Sequence, residues 1–533
     1  MEFNFTQYFP YDEIREAQSN AIQFALDSFI AQDKKFVVLE AGTGVGKSAI
    51  GWTIADYYTK EVGGNGTYYL TTQKVLQAQY MKDFKDKGMC SLESSSNYTC
   101  KFYKSKTCQE SKKLLQLSQD TKFKATCGGG CRYTLNKKSF LDGKHGVTNF
   151  SYFLAETTYA QQLQKRKMLI IDECHNAELE LGSFVEVAVS EQFASTTLKL
   201  NVPELSTQYQ VFKWITDIYK PKLSALKKHQ EEMIEKFSSV QDLPEFLKIS
   251  KQFDLIDKHL CKLNRFIERY DKDNWVMNIG ESENRKMKKW TFKPIDVAPY
   301  SEEYLFKHAD KILLMSATII DKEAFCTTLG IKPDDCAFLS IPSPFPHENH
   351  PIVVSPVGSM AMSNIDKTLP VLAAAVKEIL KAHPNEKGIL HVNSYKIANY
   401  LKQHVKNRRL IFHESHDRDK ALAKHMADDS PTVLVSPSMQ EGVDLKGDLS
   451  RFQVVCKVPY PYLGDKLVSK RMHKWDWWYP LQTAKVIIQS VGRSVRSADD
   501  TAITYILDSD WQRFYSQHKN LFPENFQKSV QIV

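Results

Sequence analysis

The segment KFVVLEAGTGVGKSAIGWTIA, Lys35 to Ala55, restricts the possible folds more than any other part of the 533-residue chain. Phe36 to Leu39 is a short apolar run, the pattern of a strand covered on both faces in a parallel sheet. A glycine-rich turn follows, and then a helical pattern. Gly42, Gly44 and Gly46 let the backbone curl so that its N–H groups face a phosphate. The start of the new helix adds its positive end. Gly42, Thr43, Gly44, Gly46, Lys47 and Ser48 are the expected nucleotide contacts. Lys47 would reach the β- and γ-phosphates, and Ser48 would ligate Mg²⁺. Ala41 stands where the strict pattern has glycine, which makes the loop a variant of that pattern.

Such a loop needs an acid from a second strand to hold the metal. MLIIDECHNAEL, Met168 to Leu179, supplies one. Leu169 to Ile171 is apolar, and Asp172 and Glu173 follow at its end. Asp172 would hold Mg²⁺ through water, and Glu173 would orient or deprotonate the attacking water. DECH alone could be a capped strand end; after a phosphate loop it points to ATP hydrolysis.

Strand-like runs alternate with helical stretches in two blocks. The first holds Phe36–Leu39, Thr67–Leu70, Met168–Ile171 and Ile312–Met315. The second holds Ile389–Val392, Thr432–Val435, Val454–Val458 and Ile503–Leu507. The expected fold is therefore α/β with two parallel sheets. Two insertions interrupt the first, at about 81–147 and 179–296. The second insertion is helical in character. Phe246, Ile249, Phe253, Ile256, Leu260, Leu263 and Ile267 form one apolar stripe, with Asp242 and Pro244 as a start.

Four cysteines crowd the first insertion, in NYTCKFYKSKTC and TCGGGCRY. No basic-then-apolar leader opens the chain, and no run reaches the ~20 apolar residues of a membrane span. An intracellular protein is expected, cytoplasmic if the source is bacterial or viral, with reduced thiols. Disulfides then explain the cysteines poorly, and metal or cluster ligation explains them better. Four thiolates suit tetrahedral zinc as well as iron and sulfide. Cys174, Cys261, Cys326, Cys336 and Cys456 read as buried parts of the fold. The net charge of +8 permits a nucleic-acid partner without requiring one. It is concentrated in Lys82 to Lys144, which also reads as a solvated lysine-rich face.

DECH resembles the DEAH box of superfamily 2 helicases. KILLMSATI with Ser316 and Thr318, GILHVNSY, MQEGVDLKGD and QSVGRSVRSADD resemble further motifs of that superfamily, in the same order. Cysteines between the phosphate loop and the DEAH box, the EGVDLKGD wording and SPFP at Ser343 to Pro346 resemble the XPD/DinG group of iron–sulfur helicases. The resemblance implies two RecA-like motor domains, with an iron–sulfur domain and a helical arch inserted in the first. The implied divisions are 1–80, 148–178 and 297–345 for motor domain 1, 81–147 for the cluster domain, 179–296 for the arch and 346–533 for motor domain 2.

It also implies that Cys100, Cys108, Cys127 and Cys131 hold a four-iron four-sulfur cluster, with Cys90 as a substitute. Arg493 and Arg496 would be arginine fingers, and Gln489 would position the γ-phosphate or water. Glu441 and Asp444 would link nucleotide state to closure, and Gln18 would contact adenine. Thr71 and Thr72 are expected phosphate contacts to single-stranded DNA. Tyr103, Tyr133, Trp475, Trp477 and Trp478 could stack on bases or belong to the core. The implied activity is ATP-dependent, 5′-to-3′ DNA unwinding by a monomer acting on single-stranded and forked DNA. A translocase that does not unwind, or an RNA helicase with a zinc module, would use the same motor.

Overall fold

The computed structural model describes residues 2–115, 120–237, 243–281, 287–439, 445, 447–492, 494–495 and 499–532. In chain order the strands are β1 (Phe36–Ala41), β2 (Thr67–Thr71), β3 (Met89–Ser91), β4 (His145–Asn149), β5 (Arg166–Asp172), β6 (Val187–Ser190), β7 (Trp275–Glu281), β8 (Lys288–Pro294), β9 (Ala309–Ser316) and β10 (Cys336–Ile341). They continue with β11 (Ile352–Gly358), β12 (Gly388–His391), β13 (Leu410–Phe412), β14 (Val433–Ser436), β15 (Phe452–Val455), β16 (Ile503–Asp508) and β17 (Val530–Ile532).

Seven strands form a sheet in the order β10-β1-β9-β5-β2-β4-β3, and every pairing is parallel. Its central strands alternate between two apolar layers. Val38, Leu169, Ile171, Ile312 and Leu314 enter one layer. Val37, Leu39, Ile170, Leu313 and Met315 enter the other. Covering both faces is what makes KFVVLE, KMLIID and KILLMS read as unbroken apolar runs. A second seven-stranded sheet, β13-β14-β12-β15-β16-β11-β17, is also parallel throughout. All eight expected runs lie in these two sheets. The strands β3, β4, β10, β11, β13 and β17 were not expected.

The insertions emerge from different parts of the first sheet. Because β3 and β4 pair within it, the cysteine-bearing excursion runs from after Ser91 to before His145. The second excursion is not wholly helical. It contains the antiparallel sheet β6-β8-β7 beside its helices. The long helix Leu243–Glu268 carries the expected stripe, with Phe246, Ile249, Ile256, Leu260 and Leu263 buried. Phe253 and Ile267 are half-buried, and Asp242 lies outside the described residues. The two excursions meet where Leu114 and Phe123 pack on Phe246 and Leu247. Lys113 caps that contact, donating to Ser250 O at 2.9 Å and pairing with Asp254.

Arg166, at the start of β5, ties the cysteine excursion to the sheet. Its buried guanidinium donates to Thr67 O (2.9 Å), Phe140 O (2.7 Å) and Gly143 O (2.8 Å), and it lies 4.1 Å from the Tyr68 ring centroid. These carbonyls close the helix Arg132–Asp142 onto β2. Arg166→Met keeps the bulk but strands the carbonyls without donors. It should lower unfolding free energy by about 3 kcal/mol, read as a lower urea midpoint with an unchanged slope.

Candidate active site at the carboxyl edge of the first sheet

Parallel register brings the motif-bearing strand ends to one edge. Glu40 of β1 faces Ser316 of β9, and Asp172 of β5 faces Met315. At this edge β1 turns into the phosphate loop. Gly44 and Gly46 have φ of 86° and 92°, where an L side chain is strained. A Cβ on Gly44 would fall 2.1 Å from Phe345 Cζ, and one on Gly42 2.5 Å from Ser343 N. The loop thus rests on the SPFP segment. Ser343 Oγ also donates to Thr43 O at 2.9 Å. Lys47 and Ser48 open the helix Lys47–Tyr57 that follows Gly46.

On the outer side Arg15 and Gln18 clasp the loop. Arg15 donates to Gly44 O and Val45 O, both at 2.8 Å. Gln18 Nε2 donates to Val45 O at 3.0 Å, while its Oε1 accepts from Arg15 N at 3.0 Å. Both ends of the Gln18 amide are therefore engaged with backbone, where an adenine contact was expected. Arg15 was not anticipated; its place three residues before Gln18, at the start of the helix Glu16–Leu26, is the only sequence signal.

The acids stand opposite Lys47. Asp172 is buried; its Oδ1 accepts from Glu173 N at 3.0 Å and its Oδ2 from Tyr80 OH at 3.1 Å. Burial, with the Glu173 charge adding, pushes its carboxyl up to about 6. Glu173 has a φ of 51°, costing ~1 kcal/mol or more for a non-glycine residue. That turn sets Oε1 3.6 Å from Lys47 Nζ and Oε2 3.3 Å from His175 Nδ1. A polar chain leads on from there. His175 Nδ1 is 2.7 Å from Ser316 Oγ, which accepts from Thr318 N at 3.1 Å. Glu40 holds the following turn, its Oε1 accepting from Ile319 N (2.8 Å) and Ile320 N (2.7 Å).

The second sheet reaches this chain through the helix Trp478–Val491. Gln489 Nε2 donates to Thr318 Oγ1 at 3.2 Å, and Lys485 Nζ to His175 O at 2.7 Å. Gln489 was expected to face the γ-phosphate or water; its amide nitrogen here bonds the SAT threonine. Lys485 was not anticipated. Glu441, Asp444, Arg493 and Arg496 lie outside the described residues.

Thr71, an expected phosphate contact to single-stranded DNA, is fully buried, and its hydroxyl donates to Gln73 O at 3.2 Å. Thr72 Oγ1 has no hydrogen-bond partner among the described residues. Tyr133 and Trp478 are buried, whereas Trp475 and Trp477 are half-buried and stack on each other at 5.6 Å.

Cys100, Cys108, Cys127 and Cys131 line one cavity, with Tyr98, Phe102 and Tyr133 around them. Burial first, and then the charges of Cys131, Cys127 and Cys100, push the Cys108 thiol up to about 12. Tyr103 N donates to Cys100 Sγ at 3.3 Å and Thr134 N to Cys131 Sγ at 3.4 Å. Cys90 lies in β3 beside Gly143 and does not line that cavity. Among the described residues, no three His, Cys, Asp or Glu side chains form a group that could hold a single metal ion. Cys174, Cys326, Cys336 and Cys456 are buried as expected, and Cys261 is half-buried. No described helix is long and apolar enough to cross a membrane.

A phosphate loop and an acidic pair at the edge of one parallel sheet, touched by a second such sheet, define a two-domain RecA-like motor fold. Residues 376–529 match the helicase C-terminal domain family, and residues 12–201 match the res subunit of type III restriction enzymes. The ATP-dependent DNA helicase DinG of Photobacterium profundum is 27% identical over 237 residues, covering 40% of this chain and 34% of the relative. The ATP-dependent DNA helicase YoaA of Escherichia coli is 23% identical over 229 residues, covering 40% and 36%. The chain thus matches about a third of the length of these curated relatives. An XPD helicase structure superimposes with a TM-score of 0.65 at 15% identity, covering 98% of this chain and 100% of that one. Xpd4 of S. tokodaii gives 0.59 at 14% identity, covering 97% and 100%. In these matched segments the chain is similar to ATP-dependent DNA helicases of the DinG and YoaA kind, and its fold is that of the XPD structures.

The raised carboxyl of Asp172 has a consequence for stability. A group whose folded pKa exceeds its unfolded value stabilises the fold at low pH and loses that contribution as pH rises through the folded value. Without nucleotide or Mg²⁺, the Asp172 contribution should therefore decline as pH rises from about 4 through about 6. Urea midpoints of wild type and Asp172→Asn, compared at pH 5 and pH 7.5, should show a smaller decline in the variant.

Proposed function

We propose that the protein is an ATP-dependent DNA helicase that translocates 5′-to-3′ on single-stranded DNA and separates duplex beside its cysteine domain. The observation that carries this reading is the unbroken polar chain from Glu173 through His175, Ser316 and Thr318 to Gln489. It joins the expected base of hydrolysis to the second sheet, as a motor requires. ATP would lie between the sheets, with Lys47 on the β- and γ-phosphates and Ser48 and Asp172 holding Mg²⁺. Glu173, with Lys47 on one carboxylate oxygen and His175 on the other, would orient the attacking water. Arg493 and Arg496 would complete the site from the second sheet on closure. Single-stranded and forked DNA are the proposed partners, and a monomer inside the cell is the proposed working state. The order of motifs and the XPD-like fold support the polarity.

Cys100, Cys108, Cys127 and Cys131 fit a four-iron four-sulfur cluster as a donor set: four thiols on one cavity, two of them accepting backbone N–H bonds. When bound, the cluster would supply iron–thiolate bonds that cross-link a segment with little core of its own. The surrounding residues would hold the domain beside the DNA path. Zinc, the alternative of the sequence reading, would need the thiols brought together on one ion, a grouping the described residues do not show.

Glu173→Gln should bind ATP but hydrolyse it about a hundredfold more slowly or worse, whereas Lys47→Ala should weaken binding as well. A fluorescent ATP analogue and a phosphate-release assay separate the two. In anaerobic protein with ATP and Mg²⁺, a duplex with a 5′ single-stranded tail should unwind and its 3′-tailed match should not. Unwinding from the 3′ tail would overturn the polarity, and ATP turnover without strand separation would favour the translocase. Iron and sulfide in the purified protein should fall in Cys127→Ser; zinc in their place would replace the cluster assignment.

A further inference from the structure

The helix Lys466–Lys474 of the second motor domain grips the root of the second insertion. Its Arg471 is the centre of that grip. Arg471 Nη1 lies 2.8 Å from Glu178 Oε1, and both side chains are largely buried, at 12% and 15% exposure. Arg471 Nε donates to Ile295 O at 2.8 Å, and the guanidinium lies 5.7 Å from the Trp478 ring centroid. Lys474 adds an ion pair to Asp296 at 2.7 Å, and Lys466 Nζ donates to Met277 O at 3.4 Å.

These partners occupy mechanically distinct places. Glu178 is in the first turn of the helix Ala177–Val185, which follows the DECH segment. Ile295 and Asp296 are the return of the insertion into the first motor domain. That return is stitched to the start of β7: Ile295 N donates to Asn274 O (2.8 Å), Asp296 N to Asn274 Oδ1 (2.9 Å) and Asn274 Nδ2 to Asp296 O (3.1 Å). One arginine therefore touches the helix behind the acids and the root of the insertion while mounted on the opposite motor domain. A forked guanidinium suits this task, because it can bind a carboxylate and a carbonyl in fixed directions at once.

We infer that Arg471 is a positioning residue that transmits nucleotide-driven movement of the second motor domain to the root of the second insertion, through Glu178 and Ile295. The role rests on the motor reading above. Arg471 touches neither the phosphate loop nor the acidic pair. Its loss should therefore leave nucleotide binding intact while uncoupling hydrolysis from work on DNA.

The test uses the full chain carrying two dyes on bio-orthogonal amino acids, since native thiols preclude cysteine labelling. One dye replaces Leu255, exposed on the insertion helix, and the other Val62, exposed on the first motor domain. Energy transfer is read with and without Mg²⁺ and a non-hydrolysable ATP analogue, and duplex separated per ATP hydrolysed is measured in parallel. Wild type should show a nucleotide-dependent change in transfer. Arg471→Gln should lose it and separate about fivefold less duplex per ATP, or worse, with analogue affinity changed less than about twofold. Arg471→Lys, which keeps the charge and loses the fork, should lie between and guards against misfolding in the first variant. Glu178→Gln should behave like Arg471→Gln, and the double variant should be no worse than either. A transfer change that persists in Arg471→Gln, additive losses in the double variant, or no change in a wild type that binds the analogue would each overturn the role. Failure of the unsubstituted protein to bind the analogue would instead remove the motor reading, and this role with it.

Discussion

β9 stands between the strand that carries the phosphate loop and the strand that carries the acids, and the site depends on its register. β1 and β5 share no hydrogen bond; each pairs with β9. Lys47 can face Glu173 only because β9 fixes both strand ends at the same height. The residues of β9 that do this are simple: Ile312, Leu313, Leu314 and Met315, fully buried and divided between two apolar layers. A shift of one residue would exchange those layers and move Ser316 away from His175. Hydrophobic packing thus sets a polar geometry several residues away.

The same edge concentrates unfavourable terms. Asp172 is a carboxyl pressed toward its protonated form by burial and by a second acid beside it. Glu173 occupies backbone space that suits glycine. A bound metal ion would relieve the first of these, and the left-handed turn is what aims the Glu173 carboxylate at both Lys47 and His175. Local instability is held in place by surroundings that are stable for independent reasons: two covered sheet faces, and the Glu40 carboxylate fixing the turn after β9. The second sheet then contacts backbone and hydroxyl groups rather than the acids. Lys485 bonds a carbonyl and Gln489 a threonine, contacts that can be exchanged during closure without disturbing the charges.

The sequence disclosed the parts of this arrangement whose chemistry depends on neighbouring residues. The glycines, Lys47 and Asp172–Glu173 were legible because phosphate and metal binding demand short, ordered spacings. The eight central strands were legible because burial on both faces removes polar residues from them. Edge strands such as β3 and β13, three residues each, carry too few residues to show a pattern. The sheet β6-β8-β7 was missed because the strong helical stripe of 243–268 dominates the reading of its insertion. Arg15, Tyr80, Lys485 and Arg471 were invisible for a different reason. Each acts on a partner dozens to hundreds of residues away, and nothing local marks it. Glu40 did leave a signal, a lone charge ending the apolar run FVVLE. Gln18, expected on adenine, has its amide turned to the loop backbone.

The points of attachment of the two insertions imply different duties. The cysteine excursion leaves from β3 and β4 at the far edge of the sheet, separated from β1 by β2, β5 and β9. At ~4.8 Å per strand, β4 lies about 20 Å from β1, too far for the cysteines to act on the phosphates. Arg166 ties it to β2, and Leu114 and Phe123 join it to Phe246 and Leu247 of the second insertion. The second insertion instead begins within a few residues of the acids and returns at Ile295, beside the helix that Arg471 holds. One is anchored at the far edge of the sheet, and the other is rooted between the acids and the opposite motor domain. If Arg471 drives the second root as inferred, the packing of Leu114 and Phe123 on Phe246 and Leu247 is where that displacement would reach the cysteine excursion.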